Sequence, residues 1–273
     1  MEVTLLGTGD TTGTPTVGCG CDTCQRARAR GVERTRFSVY VESASGGSLL
    51  IDFSPDFRYQ FLREDRDPPD AAVVTHIHFD HLDGLGNVYR LVDELPVYAA
   101  DETDPTTGES VAQTVRRRYD YLDAVSVEPT APFETVETAG LKLTLVPVDP
   151  PPLLCYGLLV EDSETGGRLA LSGDTSYAIP DRSLDVLSGA DLLLADAIVP
   201  AENCEYHPMG GRHHDASGVP RTFGDKHMTI EGARQLGDRL DATETRLVHL
   251  SHYIPADRAF DEDMAVDGER FEL

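Results

Sequence analysis

The chain has 273 residues, of which 40% are hydrophobic and 26% charged, a composition typical of proteins that bury a substantial core. Its 48 acidic residues outnumber the 23 basic ones, and the formal net charge is -25. This charge disfavours nucleic-acid and membrane partners, because it repels their phosphates. The sequence has neither an apolar run of about 18 residues nor a secretory signal pattern at its start, so we expect no spanning helix and a cytoplasmic location.

Strand-like and helix-like patterns continue along the whole chain without a linker or repeat, which predicts a single domain over residues 1–273. Apolar alternation or continuous apolar runs predict strands near 3–5, 39–41, 49–51, 71–74, 141–145, 169–171, 192–194 and 247–248. Helical spacing predicts helices over 82–92, 111–122 and 230–240. In all, the patterns indicate about ten strands and four or five helices, in packed sheets covered outside by helices. Residues 200–226, rich in Pro, Gly and His, are predicted to form an irregular insertion.

Four potential metal ligands fall within six residues directly after an apolar run: His76, His78, Asp80 and His81. On an extended strand end, His76 and His78 are two residues apart, so both rings face the same side. Asp80 and His81 can turn toward the same point from the loop. Imidazole with carboxylate suits zinc, manganese or iron. The alternative, a cluster of ordinary surface histidines, is disfavoured by this spacing.

Three further polar residues follow apolar runs elsewhere in the chain. Asp174 and His249 are placed like His76, at predicted strand ends, and a carboxylate between two cations can bridge them. Taken alone, Asp174 also suits a turn or a helix cap. Asp52 could orient a ligating histidine, although a turn-forming role fits it equally well.

A second cluster consists of Cys19, Cys21 and Cys24, spaced C-x-C-x2-C in a Gly-rich loop, residues 19–24. Three thiolates this close favour a tetrahedral zinc completed by a distant residue. His252 is the candidate, because it follows His249 by three residues and an odd separation on an extended chain sends the two rings to opposite sides. Thiols that bind no metal are the alternative.

Two other features have weaker signals. His227 precedes a predicted helix for which Thr229 is a plausible N-cap, and its position alone does not establish a function. The run 116–118 consists of three arginines, which we interpret as balancing the acidic surface rather than as binding phosphate.

Together these motifs resemble the metallo-β-lactamase superfamily, and most closely its phosphoribosyl cyclic phosphodiesterase branch. The resemblance implies an α/β fold, a four-layered αβ/βα sandwich with the metals at one edge between the sheets. It implies a first metal on His76 and His78, a second on Asp80, His81 and His249, a bridging Asp174, and a structural zinc on Cys19, Cys21, Cys24 and His252. It also implies that His227 acts as a general acid or stabilises charge on the scissile phosphate, with Asp80 serving catalysis as well as metal binding.

The sequence departs from this branch after Pro147-Val148-Asp149, where Pro150 stands in place of a usual histidine ligand. The first metal would then keep only three ligands and could be weak. Asp149 could substitute, or one of the histidines of the insertion could reach in, namely His207, His213 and His214. A polar loop without ligand function is the alternative for those histidines.

The function expected from these observations is that of a metal-dependent hydrolase. The leading hypothesis is a phosphodiesterase with two zinc or manganese ions, acting on a small phosphodiester such as a cyclic sugar phosphate. The alternative is a non-catalytic binding or carrier protein that resembles the pyrroloquinoline quinone biosynthesis B protein. Because all four residues of the histidine motif are retained, catalysis ranks first. The expected partners are the small substrate and, as an open alternative, a second copy of the chain.

The acidity leads to a first prediction, that the protein is adapted to molar salt. Ionic screening at about 1 M shortens the reach of charge repulsion to about 3 Å, so the thermal unfolding temperature should rise between dilute buffer and molar KCl. Differential scanning calorimetry at both salt concentrations would measure this. Equal stability in the two buffers would contradict the hypothesis of halophilic adaptation.

Overall fold

A computed structural model describes residues 1–149 and 153–273 of the chain. The strands are β1 Glu2–Gly7, β2 Ser38–Glu42, β3 Ser48–Ile51, β4 Ala71–Val74, β5 Leu95–Ala100, β6 Val125–Thr130, β7 Thr135–Thr138, β8 Leu141–Pro147, β9 Tyr156–Asp162, β10 Arg168–Leu171, β11 Leu192–Asp196, β12 Gly211–His214, β13 Pro220–Phe223, β14 His227–Met228, β15 Glu244–Val248 and β16 Arg270–Glu272. The α-helices are α1 Asp22–Arg30, α2 Phe57–Glu64, α3 Phe79–Leu82, α4 Val111–Arg118, α5 Asp181–Leu187 and α6 Ile230–Arg239, and 3-10 helices span Asp83–Val88 and Ala201–Tyr206.

The strands form two large sheets and one small one. The first has seven strands in the order β16-β1-β2-β3-β4-β5-β6, the second six in the order β15-β11-β10-β9-β8-β7, and the third contains β12, β13 and β14. Strands β3 to β6 are parallel to one another, as are β10, β11 and β15. Parallel strands buried on both faces read as continuous apolar runs, which explains the pattern in the sequence.

The second sheet is covered on both faces, as the alternation along β11 demonstrates. Leu192 and Leu194 belong to the hydrophobic cluster shared with the first sheet. Leu193 and Ala195 point the other way, into a cluster that contains residues of α5 and α6. On the outer side of the first sheet, α4 packs on β5 and β6, and α2 packs near β1. The predicted four-layered sandwich is therefore confirmed.

Several predictions of individual elements need correction. The described residues contain more strands and helices than expected. Strands that contain Pro or Gly, such as β5 and β9, lack a clear period in the sequence and were not predicted. The helix predicted over 82–92 is wrong: α3 ends at Leu82 and a 3-10 helix follows. There, a Cβ on Gly84 would lie only 1.9 Å from the carbonyl oxygen of Ser54, so the chain packs directly on backbone.

The insertion predicted to be irregular, residues 200–226, is also ordered. It contains the 3-10 helix Ala201–Tyr206 and the antiparallel pair β12 and β13. Short strands of this kind, in which Thr222 is the one fully buried residue, bury too little apolar surface to leave a period in the sequence. No helix in the described parts of the chain is long and apolar enough to cross a bilayer.

Gly173 follows β10 and sets the position of Asp174, which leads to a second prediction. Its φ is +63°, and a Cβ there would lie 2.4 Å from the backbone oxygen of Tyr156. Gly173→Ala should therefore add a backbone clash to left-handed strain, at a cost of about 2 kcal/mol or more in the free energy of unfolding. Urea unfolding in molar KCl would measure it.

Gly189→Ala is the matched control. Gly189 has φ +69°, and no atom of the described residues lies within 4 Å of its Cβ position, so only the left-handed strain, about 1 kcal/mol, should remain. Equal losses in the two variants would show that the close approach at Gly173 has no energetic consequence.

Candidate metal centres

Five polar residues of the candidate site lie at the carboxyl ends of strands. Asp52 follows β3 and His76 closely follows β4 in the first sheet, whereas Asp174 follows β10, Asp196 ends β11 and His249 follows β15 in the second. Because each set of strands is parallel, their carboxyl ends share one edge of the sheet. The packing of the sheets brings the two sets together, and carboxyl edges are common binding sites in α/β folds.

The first group of potential ligands is His76, His78 and Asp174, whose ligand atoms all lie within 4.8 Å of one another. His76 Nε2 is 2.9 Å from His78 Nδ1 and 3.6 Å from Asp174 Oδ2. Both histidines lie just beyond the end of β4, and the structure brings their imidazoles together. His76 is fully buried, so its ring is held by packing.

The second group is Asp80, His81 and His249, again with all ligand atoms within 4.8 Å. His249 Nε2 lies 3.5 Å from Asp80 Oδ2, and His81 Nε2 lies 3.8 Å from the same oxygen. Two ligand atoms of a tetrahedral ion, each about 2.1 Å from the metal, are about 3.4 Å apart. The observed separations are close to that value.

Both groups meet at Asp174. Its Oδ2 atom is 3.5 Å from His81 Nε2 and 3.4 Å from His249 Nε2, in addition to its contact with His76. One carboxylate oxygen therefore faces imidazoles of both groups, which is the placement that a bridging ligand requires.

Unpartnered atoms in this cluster fit a cation. Among the described side chains, the Nε2 atoms of His81 and His249 are buried and have no hydrogen-bond partner. A buried polar atom without a partner costs about 1–3 kcal/mol. A divalent ion between these nitrogens and the two carboxylates would supply the missing interaction. Zinc, manganese and iron all accept such donors.

The carboxylates also control the charge of the imidazoles. Burial disfavours charge on His81, but Asp174 and Asp52 outweigh it and raise the pKa of His81 to about 10. Burial likewise disfavours charge on Asp174, yet His249 and His81 hold the pKa of Asp174 well below its ordinary value. For His76 burial prevails, and its pKa is lowered. Since histidine binds metals in its neutral form, cation binding here would release protons.

Asp52 lies where it can orient a ligand. Its Oδ2 is 2.7 Å from His81 Nδ1, which leaves Nε2 directed at the cluster. The same carboxylate accepts hydrogen bonds from the amide and hydroxyl of Thr75, at 2.8 and 2.7 Å. Asp52 has φ +60°, an uncommon conformation that persists where the surroundings fix it.

His227 and Asp196 complete the candidate site. The ligand atoms of Asp174, Asp196, His227 and His249 lie within 4.8 Å of one another, and the rings of His227 and His249 are stacked with centroids 5.0 Å apart. His227 Nδ1 is 3.1 Å from Asp196 Oδ2. Burial opposes charge on His227, but Asp196 raises its pKa.

The sequence analysis missed Asp196. Its carboxylate accepts from the amides of Thr175 and Met228, both at 3.2 Å, besides contacting His227. The available signal was its position directly after the apolar run of β11, the same position that Asp52 holds after the run of β3.

The cysteine cluster forms a separate site. Cys19, Cys21, Cys24 and His252 bring their ligand atoms within 4.8 Å, with His252 Nδ1 3.4, 3.6 and 3.7 Å from the three sulfurs in that order. Tetrahedral zinc with bonds of about 2.3 Å to sulfur and 2.0 Å to nitrogen places S and N about 3.5 Å apart. The four side chains therefore have the geometry of a zinc site.

The suggested substitute ligands do not join the first group. Asp149 instead accepts a hydrogen bond from the Ser176 hydroxyl, and His213 Nδ1 is 2.8 Å from Thr222 Oγ1. His207 packs against Phe223, and His214 is exposed on β12. None of the four belongs to a described cluster of potential ligands, so the idea that they complete the first metal is not supported. Pro150 lies outside the described residues.

The chain is similar to known proteins in sequence and in fold. A family model for a β-lactamase superfamily domain matches residues 48–250. The solved structure of a diphosphatase from the PhnP family superimposes with a TM-score of 0.77 and 29% identity, covering 100% of this chain and 97% of that one.

Two curated relatives are similar in sequence. An octanoyltransferase from Porphyromonas gingivalis is 33% identical over 93% of this chain, and the match covers only 47% of that longer protein. Coenzyme PQQ synthesis protein B from Pseudomonas entomophila is 28% identical over 72% of this chain and 73% of its own length. With the family model and the metal ligands in agreement, the chain belongs to the metallo-β-lactamase superfamily, near its PhnP branch.

Proposed function

We propose that this protein is a metal-dependent phosphodiesterase that hydrolyses a small phosphodiester, with a cyclic sugar phosphate as the expected form. The observation that carries the proposal is the placement of His227, which lies in the same 4.8 Å cluster as Asp174 and His249. The similarity to a PhnP-family diphosphatase, at 29% identity, supports phosphate ester chemistry.

The candidate site would combine metal binding by the two ligand groups with proton transfer by His227. Two divalent cations on the two ligand groups would polarise the phosphoryl oxygens and lower the pKa of a bound water toward about 7. His227 has Nδ1 occupied by Asp196, which leaves Nε2 to donate a proton to the leaving oxygen or to stabilise its charge. With 19% of its side chain exposed, His227 can meet a substrate that enters from solvent.

The charge of the chain favours a small substrate. A net charge of -25 repels polyanions at ordinary salt, whereas a single phosphodiester can be attracted locally by the metals and by His227. The active centre thus supplies the positive charge that the surface lacks.

A third prediction tests this assignment. His227→Ala should lower kcat by about 10²- to 10⁴-fold, the usual contribution of a general acid. Metal content should stay unchanged, because His227 belongs to neither of the two groups assigned to the metals, although its ligand atom lies within 4.8 Å of those of Asp174 and His249. We would assay bis(p-nitrophenyl) phosphate and ribose 1,2-cyclic phosphate in molar KCl with saturating Mn²⁺ or Zn²⁺.

His214→Ala is the matched control, since His214 is exposed on β12 and outside the cluster; it should retain wild-type kcat. If the wild-type protein, saturated with metal, turns over neither substrate, the proposal of a phosphodiesterase is wrong.

A binding or carrier protein similar to Coenzyme PQQ synthesis protein B is the second candidate. One observation favours it: among described residues the first ligand group has only His76, His78 and Asp174, so its metal has the fewer protein donors. A protein that lost this metal would keep the cysteine zinc and the fold.

The fourth prediction separates the two candidates by metal stoichiometry. Plasma mass spectrometry on protein purified without chelators in high salt should find about three metal ions per chain, and about two in Cys21→Ala, because only the cysteine zinc is lost. Cys204→Ala, which removes a buried cysteine outside the cluster, should keep the wild-type content. If the wild-type protein holds one metal ion per chain and Cys21→Ala holds none, the result would favour the binding protein.

A further inference from the structure

We propose that Thr11 is a positioning residue for Asp80, and that its hydroxyl fixes the carboxylate in the orientation needed to bind the second metal. The sequence analysis gave Thr11 no role. The inference concerns metal binding and does not depend on which substrate the protein hydrolyses.

The contact is short and involves the atom that matters. Thr11 Oγ1 donates to Asp80 Oδ2 at 2.7 Å. That oxygen is also the one nearest to His249 Nε2, at 3.5 Å, and to His81 Nε2, at 3.8 Å. A carboxylate rotates readily about its last torsion. In the described residues, Thr11 supplies the uncharged hydrogen-bond donor that selects one orientation of Asp80.

Thr11 itself is solvent-exposed, so the turn rather than packing must hold it. Asp10 Oδ1 accepts from the amides of Thr12 and Gly13, both at 3.0 Å, which closes the turn around Thr11. The amide of Asp10 donates to the carbonyl of Leu250 at 3.3 Å. Leu250 follows His249 directly, so the turn is tied to the strand end that supplies another ligand.

The same turn is also fastened to the cysteine cluster. Thr16 Oγ1 donates to the carbonyl of Gly13 at 2.6 Å, and the Thr16 amide donates to Cys24 Sγ at 3.3 Å. Thr11 therefore lies on a short, hydrogen-bonded path between the zinc cluster and Asp80. Mutation of a residue that hydrogen-bonds to a metal ligand usually changes the metal affinity about 10- to 100-fold.

The fifth prediction tests the positioning role of Thr11 by Mn²⁺ binding. Mn²⁺ prefers carboxylate and imidazole ligands, whereas cysteine clusters prefer zinc. Thr11→Val keeps the shape of the side chain and removes the donor, so the affinity for Mn²⁺ should fall about tenfold or more. Thr11→Ser keeps the donor and should restore the wild-type affinity. Electron paramagnetic resonance of free Mn²⁺ during titration would measure both.

Thr12→Val is the matched control, because the hydroxyl of Thr12 contacts Asp10 and Thr16 instead of Asp80; its Mn²⁺ affinity should stay within about threefold of wild type, as expected for a residue that does not hold a ligand. Zinc content and thermal unfolding should be the same in all variants. Wild-type Mn²⁺ affinity in Thr11→Val, an equal loss in Thr11→Ser, or no Mn²⁺ binding by the wild-type protein would each overturn the proposal. Activity is not needed for this test, so a failed phosphodiesterase assay would leave its outcome unaffected.

Discussion

The buried carboxylate of Asp174 is the constraint on which the rest of the site depends. Its Oδ2 atom faces the Nε2 atoms of His76, His81 and His249 at 3.6, 3.5 and 3.4 Å. A buried carboxylate is tolerated only beside positive charge or a metal, so these imidazoles must come from different parts of the chain to one point. Two sheets packed face to face, each ending its parallel strands at the same edge, provide that point.

The segment from His249 to His252 connects the cysteine cluster to the ligand group of Asp80, His81 and His249. His249 has φ +59°, so the chain turns directly after β15 instead of continuing as a strand. Alternation along an extended chain predicts that His252 faces the cysteines. The structure does bring His252 to the cysteines, but by a turn. The cysteine cluster and His249 are thus neighbours along the chain as well as in space, so the four residues of the cysteine cluster help to position this candidate ligand.

Much of this arrangement could be predicted from the sequence, because the determining residues follow buried strands. Apolar runs marked β3, β4, β10 and β15, and a polar residue shortly after each of these runs marked the site. What the sequence could not supply was information that depends on packing. The helix predicted beyond Leu82 gives way because Gly84 packs on the backbone of Ser54, and the strands of the insertion bury too little to show a period. Asp196 was missed because it is a single acidic residue without a recognisable motif around it.

The two groups of candidate ligands would hold a pair of metal ions unequally. The second group has Asp80, His81 and His249 together with the shared Asp174, and Asp52 orients the ring of His81 from outside. The first group has two histidines and the same Asp174. Because affinity grows with the number and orientation of charged and imidazole donors, the second site should fill first, and its cation would then neutralise part of Asp174. That neutralisation would weaken the attraction for a further cation, so weak binding of a first metal would follow from the shared carboxylate as well as from the smaller number of ligands among the described residues.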